Sequence, residues 1–311
     1  MELIRGIHNI LPAHFGCVLT IGNFDGVHRG HGKVIENVVE KAAHFHLPAT
    51  VMTFEPQPQE LFRKEDAPAR LSLLRDKVML LDELGVDRLV CVNFNRRFAS
   101  LPAEDFIEEL LVKRLGVKYL VVGDDFCFGA DRKGSFEMLR QAGDKHGFAV
   151  VSTQSFVVGD TRVSSTAIRE TLAKGNMEQA RRMLGHPFTL TGRVAHGQKL
   201  GRTIGFPTAN IALKRKVVPV RGVFAVRMKW QGSDVYEGVA NIGFRPTVNG
   251  QLCQLEVHLF DFSGDLYGRS VEVELVAKIR EERPFESLDA LKKQILNDAN
   301  EAKALFGNDA S

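Results

Sequence analysis

Cys17-Val18-Leu19-Thr20-Ile21 is a short apolar run that ends in Gly22-Asn23-Phe24-Asp25-Gly26-Val27-His28-Arg29-Gly30-His31. Val34, Ile35, Val38, Val39 and Ala42 follow at helical spacing, so the stretch reads as strand, loop, helix. An apolar strand without alternation needs cover on both faces, which calls for a parallel sheet flanked by helices. The region 17–155 repeats this unit. Strands are expected at Cys17–Ile21, Ala49–Phe54, Asp87–Phe94, Lys118–Gly123 and Phe148–Ser152, and helices at 30–46, 71–84, 103–115 and 134–146. In such sheets ligands bind beyond the carboxyl ends of the strands. The loops 22–31, 55–70, 94–102 and 123–133 fall there.

The first of these loops suits a phosphate. A helix N-terminus presents unsatisfied N–H groups and a partial positive charge. His28 and His31 add donors that become cationic as phosphate charge accumulates, and Gly30 lets the backbone approach a ligand closely. Gly22 and Phe24 are grouped with Gly30 on the nucleotide side. The stretch reads as a site for a nucleoside triphosphate, where transfer needs positioning and charge stabilisation more than covalent chemistry. Asp25 holds a metal or caps a turn. Gly123-Asp124-Asp125-Phe126-Cys127-Phe128-Gly129 places two carboxylates at a strand end, as a nucleotide contact or a solvated turn. Ser164, Ser165 and Thr166 offer hydroxyls at a helix start, with Arg169 one turn on, which suits β- and γ-phosphates or ordinary capping. Phe54-Glu55-Pro56-Gln57-Pro58 walls a flat ring or simply turns the chain.

At 311 residues two domains are expected. After short helices to about Ala173 and over Met177–Leu184, the character changes at Gly185-His186-Pro187. This gives domains of 1–185 and 186–311. Strand-like runs follow at Phe188–Val194, Val223–Trp230, Tyr236–Ile242, Leu252–Phe260 and Val271–Ile279, separated by Gly and Pro turns: an antiparallel sheet or small barrel. A last helix, about Ser287 to Phe306, carries Leu288, Leu291, Ile295, Ala299 and Ala302 as its apolar stripe. Within Gly192–Asn210 repeated glycines, Gly201 and Gly205 among them, read as a phosphate loop that is not a Walker motif or as an ordinary flexible β-loop. Thr208 and Asn210 face one side of an extended segment and suit Mg²⁺ shared with phosphate oxygens. In Leu255-Glu256-Val257-His258-Leu259, Glu256 and His258 alternate away from the apolar face. A net charge of +3 forces neither nucleic acid nor membrane as partner. The run Lys214-Arg215-Lys216 reads as a solvated loop face. Four scattered cysteines, no leader-like N-terminus and no long apolar run fit a cytoplasmic protein.

GNFDGVHRGH, FEPQP, GDDFCFG and VSSTAIR, in this order, followed by PTAN and LEVH, resemble the bifunctional riboflavin kinase/FMN adenylyltransferase (FAD synthetase) family over essentially the whole chain. The resemblance implies an α/β, Rossmann-like nucleotidyltransferase domain and a small antiparallel barrel with a terminal helix. ATP and riboflavin would give FMN in the barrel, and FMN and ATP would give FAD and pyrophosphate in the first domain. It implies that His28 and His31 stabilise the α-phosphate in the transition state. Ser164, Ser165, Thr166 and Arg169 would hold the triphosphate, and Asp125 would contact the nucleotide or its metal. Phe54 and Pro56 fall on the flavin side, and Arg96-Arg97-Phe98-Ala99 matches a flavin-site loop. In the barrel Thr208 and Asn210 would bind Mg-ATP, Glu256 would be general base for the ribityl hydroxyl, and His258 would be structural support. Small-molecule substrates and a monomer or weak homo-oligomer are expected. The competing reading is a nucleotidyltransferase with a non-catalytic, nucleic-acid-binding barrel, which has no need of Thr208, Asn210 and Glu256.

Overall fold

The computed structural model describes residues 1–123, 125–153, 157–158, 161–196, 206–213, 215, 217–247 and 250–309. The chain divides into two compact units, Met1–Pro68 with Ser72–Ser164, and Ala69–Leu71 with Ser165–Ser311.

The first unit is built on six parallel strands: β1 (Glu2–Arg5), β2 (Cys17–Ile21), β3 (Ala49–Glu55), β4 (Arg88–Asn93), β5 (Val117–Val122) and β6 (Ala149–Ser152). Their order is β1-β4-β3-β2-β5-β6. Alternate residues of the central strands feed the two faces, as near-continuous apolar runs require. Leu19, Met52, Val90 and Leu120 pack on one face. On the other, Val51 and Leu89 pack with Ile35 and Leu81, and Val18 and Val121 with Val38. From β2 the chain steps to β3 and β4 on one side, then to β5 and β6 on the other. The switch point lies between β2 and β5, where loops 22–31 and 123–133 leave the sheet.

Helix α1 (Arg29–Phe45) follows the first loop, and α2 (Pro58–Arg63) follows β3. Three features differ from the sequence expectation. β1 is an additional edge strand, whose Glu-Leu-Ile-Arg is too short and too charged to stand out as an apolar run. The helix expected from 71 begins at Leu74 as α3 (Leu74–Glu83), because Asp76 Oδ2 accepts from Leu73 N at 2.9 Å and closes the first turn there. Beyond α4 (Arg96–Ala99), the 103–115 helix starts as α5 (Ala103–Asp105) and widens into a π-helical stretch, Phe106–Arg114. There Leu115 N reaches Leu110 O at 3.0 Å. Helix α6 (Phe136–His146) precedes β6, and two-residue strands β7 (Val157–Val158) and β8 (Thr161–Arg162) pair beyond it.

The second unit holds α7 (Ser165–Ala173), α8 (Met177–Leu184) and a closed antiparallel barrel. Its strands are β9 (Thr189–Ala195), β10 (Ala209–Leu213), β11 (Gly222–Trp230), β12 (Tyr236–Thr247), β13 (Gly250–Leu259) and β14 (Ser270–Arg280). β10 was not among the expected strands. It pairs with β9 and β13, and so closes the ring and removes the sheet's edges. The final helix α9 (Leu288–Asp309) lies on the outer face. Ala299, Ala302 and Phe306 pack there against Val223, Ala225, Val239 and Phe260. Leu288, expected in the buried stripe, is 57% exposed because it sits in the first turn, ahead of the packed part. Arg280 fixes α9 through a forked pair with Asp298, at 2.9 Å from Nε and 2.8 Å from Nη2.

Residues 69–71 belong to this unit because two arginines hold their carbonyls. Arg169 Nε donates to Ala69 O at 2.6 Å, and Arg215 Nη1 to Arg70 O at 3.1 Å and Leu71 O at 3.3 Å. This corrects the expectation for the basic run: Arg215 is 6% exposed, not part of a solvated face. Lys214 and Lys216 lie outside the described residues.

Candidate active sites

Loop 22–31 is held from beneath by buried polar groups. Asp25 Oδ1 accepts from Ser72 N at 3.0 Å and Ser72 Oγ at 3.4 Å, while Gly26 N donates back to Ser72 Oγ at 2.8 Å. Asp25 is thus a buried anchor of the turn. Lys77 of α3 is 1% exposed, and its Nζ donates to Asn23 O at 2.6 Å and Thr53 Oγ1 at 3.4 Å. A lysine is almost never buried so completely unless its charge is compensated. Above these anchors Phe24 and Val27 adopt positive φ, 47° and 37°, a conformation that is an outlier for a β-branched residue.

His28 is the N-cap of α1, and its Nδ1 accepts from His31 N at 3.3 Å. An Nδ1 that accepts leaves Nε2 as the N–H of the neutral ring, so His28 presents a donor at the helix N-terminus. The His28 and His31 rings stack with centroids 3.6 Å apart, and Phe24 tilts against His31 at 5.0 Å. A Cβ on Gly30 would stand 3.2 Å from the His28 ring and 3.5 Å from Val163 O, and one on Gly22 would stand 3.2 Å from the Phe24 ring. His31 titrates well below the usual imidazole range, first because it is buried, then because of His28 and Lys77. Its Nδ1 is buried with no hydrogen-bond partner among the described residues.

Across the switch point, Asp125 is exposed in the turn that follows β5; Asp124 lies outside the described residues. Ser164 ends the first unit, while Ser165, Thr166 and Arg169 open the second on α7. Phe54, expected to face a flat ring, is buried at the end of β3. It belongs to a chain of rings that sequence reasoning missed: Phe54 to Phe94 at 5.6 Å, Phe94 to Phe62 at 6.0 Å and Phe54 to Phe98 at 6.2 Å. Phe98 continues through Phe106 to Phe128. Phe62, not Phe54, is the ring open to solvent, at 67% exposure. Pro56, just after β3, is half-buried.

In the barrel, Asn210 of β10 pairs directly with Glu256 of β13, and Asn241 of β12 pairs with Glu256 from the other side. Ile211, Leu255 and Ile242, one residue on in each ladder, are buried in the interior. By strand alternation the three polar side chains therefore stand on the outer face. Gln254 shares that face. Its Nε2 lies 2.8 Å from Asn210 Oδ1 and 2.6 Å from Glu256 Oε1. Thr208 just precedes β10 and is half-buried. The His258 ring Nδ1 lies 2.9 Å from Pro207 O, just ahead of β10. Glu282 completes the cluster: Oε1 accepts from Asn241 Nδ2 at 3.1 Å, and Oε2 pairs with Arg221 Nε at 3.0 Å. A Cβ at Gly243 would collide with the Glu282 carboxylate. Gln254 was findable from its spacing to Glu256; Glu282 left no sequence signal. Gly201 and Gly205 lie outside the described residues.

A unit that offers paired imidazole donors at a helix N-terminus, and another that sets an amide oxygen against a carboxylate, place this chain among phosphate-transfer enzymes. Family models match both halves of the chain: FAD synthetase over residues 11–167 and riboflavin kinase over residues 184–306. A bifunctional riboflavin kinase/FMN adenylyltransferase of Escherichia coli (strain K12) is 56% identical over 308 residues, covering 99% of this chain and 98% of that protein. One from Haemophilus influenzae is 51% identical and covers 99% of this chain and 100% of its own. A solved structure from Streptococcus pneumoniae, described as a macrolide-efflux protein, superposes with a TM-score of 0.81 at 32% identity, over 96% of this chain and 97% of that one. The chain belongs to the bifunctional riboflavin kinase/FMN adenylyltransferase family.

Proposed function

We propose that the two activities of this family run on two separate sets of residues, one built on each sheet. The carrying observation is the Asn210–Glu256 pair on the outer barrel face, bridged by Gln254. A barrel that only bound nucleic acid would have no use for a fixed amide oxygen beside a carboxylate, and Arg215 of the basic run is buried.

In the kinase reaction Glu256 orients the ribityl 5′-hydroxyl of riboflavin toward the γ-phosphate of ATP. It accepts the proton late, as the oxygen–phosphorus bond forms and ADP leaves. Thr208 and Asn210 hold Mg-ATP, with Gly201 and Gly205 on the phosphate side. No group of three His, Cys, Asp or Glu suited to a metal occurs among the described residues. Magnesium fits nonetheless, since it keeps several waters and takes one or two protein oxygens beside substrate phosphates. When bound, it neutralises charge on those phosphates.

In the adenylyltransferase reaction an FMN phosphate oxygen attacks the α-phosphate of ATP and pyrophosphate leaves. His28 donates from Nε2–H to the α-phosphate, and His31 gains charge as negative charge accumulates there. The α1 N-terminus, Gly22, Phe24 and Gly30 cradle the nucleotide, and Asp125 contacts it or its metal. Ser164, Ser165, Thr166 and Arg169 hold the outgoing phosphates. Pro56 and the aromatic chain that runs from Phe54 to Phe62 wall the flavin. Functional domains of 1–185 and 186–311 follow, in a cytoplasmic enzyme that acts as a monomer or weak homo-oligomer on small molecules, without nucleic acid or membrane. No helix of the described residues is long and apolar enough to cross a membrane.

Purified chain incubated with riboflavin, ATP and Mg²⁺ should accumulate FMN and then FAD. Glu256→Ala should abolish FMN formation and leave FMN-to-FAD conversion intact. His28→Ala should do the reverse, with a loss on the order of a hundredfold. A joint loss of both activities in either folded variant would falsify the two-site assignment.

A further inference from the structure

Asn210 and Glu256 face each other across the β10–β13 ladder, and both present oxygens. Neither of these oxygens can donate to the other: the carboxylate is acceptor-only, and Asn210 shows its carbonyl side. Directly opposed side chains stand only about 5 Å apart at Cβ, so the pair repels unless something lies between. Gln254 Nε2 lies between. It carries two hydrogens, one for Asn210 Oδ1 at 2.8 Å and one for Glu256 Oε1 at 2.6 Å. Strand alternation puts Gln254 two residues before Glu256 on the same outer face; its ladder partners are Ala212 and Gly243, and the Glu282 carboxylate fills the space over Gly243.

We propose that Gln254 is a positioning residue for riboflavin phosphorylation, whose single amide nitrogen locks the metal-side oxygen of Asn210 and the base Glu256 into one arrangement. The proposal rests on the assignment of those two residues to the kinase reaction. The bridge does three things. It replaces repulsion between two acceptors with two hydrogen bonds. It leaves Asn210 Oδ1 a second lone pair for a cation. It also fixes the carboxylate where the hydroxyl must sit, and misplacement by about 1 Å at such a centre costs on the order of a hundredfold in rate. Gln254 touches neither transferring phosphate nor hydroxyl. Glu282, held by Asn241 and Arg221, is the carboxylate over Gly243 and keeps those two partners when Gln254 is changed.

The test measures kcat and KM for FMN formation by full-length Gln254→Met, Gln254→Glu and Glu256→Gln proteins, with FMN-to-FAD conversion assayed in the same preparations. Gln254→Met should lower kcat about tenfold or more. It should keep KM for riboflavin and ATP within about threefold. Gln254→Glu removes the donor, sets a second carboxylate against Glu256 and should lower kcat further. FMN-to-FAD conversion should not change in either. A kcat within about twofold of the parent overturns the proposal. So does a defect confined to KM and melting temperature, which would make Gln254 a purely structural residue. Glu256→Gln separates the two levels. If it abolishes FMN formation while Gln254→Met does not, only this inference fails. If it turns over at the parental rate, the site assignment fails and the inference with it.

Discussion

Burial decides the protonation chemistry of individual residues. His31 is held neutral by burial, helped by His28 and the Lys77 ammonium. Below about pH 6.5, the ordinary imidazole value, the unfolded chain takes up a proton that native His31 refuses. Stability therefore falls as pH falls, by up to about 1.4 kcal/mol per pH unit for this one group. His31→Asn should flatten the fall in melting temperature between about pH 7 and 5.5; an unchanged slope would exclude His31 as its source. The thiols divide in the same way. Burial pushes Cys17 up to about 12 and Cys253 to about 11, Cys91 is buried, and Cys127 is exposed. An aromatic disulfide reagent at pH 8 should titrate Cys127 alone in the native protein, and all four thiols only after unfolding. Fast reaction of a second native thiol would contradict the packing around β2 and β13.

At the scale of elements, two buried polar contacts hold what the backbone alone would leave loose. Loop 22–31 carries unfavourable φ at Phe24 and Val27 and is held by Asp25, Ser72 and Lys77. Lys77→Met keeps the volume but leaves Asn23 O and Thr53 Oγ1 without this donor, a cost of about 1–3 kcal/mol. FMN-to-FAD conversion should fall in this variant while FMN formation stays at the parental rate; equal losses in both would rule out a local role. Helix α9 depends on Asp298, which is 3% exposed and receives the Arg280 fork and Gln294 Nε2. Asp298→Ala strands a guanidinium and should cost about 3 kcal/mol. On heating, riboflavin kinase activity should then be lost at a lower temperature than FMN-to-FAD activity, the two being read in one sample.

For the whole molecule, the two units divide at Ser164/Ser165, whereas the sequence changes character at 185–187. The helices between these points pack with the barrel: α8 buries Met177, Ala180, Met183 and Leu184, and Gly175 lies against Lys278 of β14. A fragment of 165–311 should therefore melt well above one of 186–311, since each buried apolar side chain contributes about 1.5–3 kcal/mol. Equal melting would mean that α7 and α8 add nothing to the barrel. Fold class was legible because strand and helix periods alternate up to about residue 155, and turn-separated strands follow Pro187. β1 and β10 were not legible, being short and amphipathic, with pairing partners 86 and 46 residues away in the chain (Glu2 with Arg88, Asn210 with Glu256).

What the sequence determined by itself is the chemistry available: imidazoles at a helix start, hydroxyls with a cation one turn on, an amide and a carboxylate on strands of period two. Those are local properties, set by residue type and spacing. The tertiary structure decided which of them meet. It stacked His28 on His31, buried Phe54 and exposed Phe62, turned Arg215 inward to the carbonyls of Arg70 and Leu71, and set Gln254 between Asn210 and Glu256. Contacts of that kind depend on strand register and burial across distant segments, and these arise only when the sheets assemble.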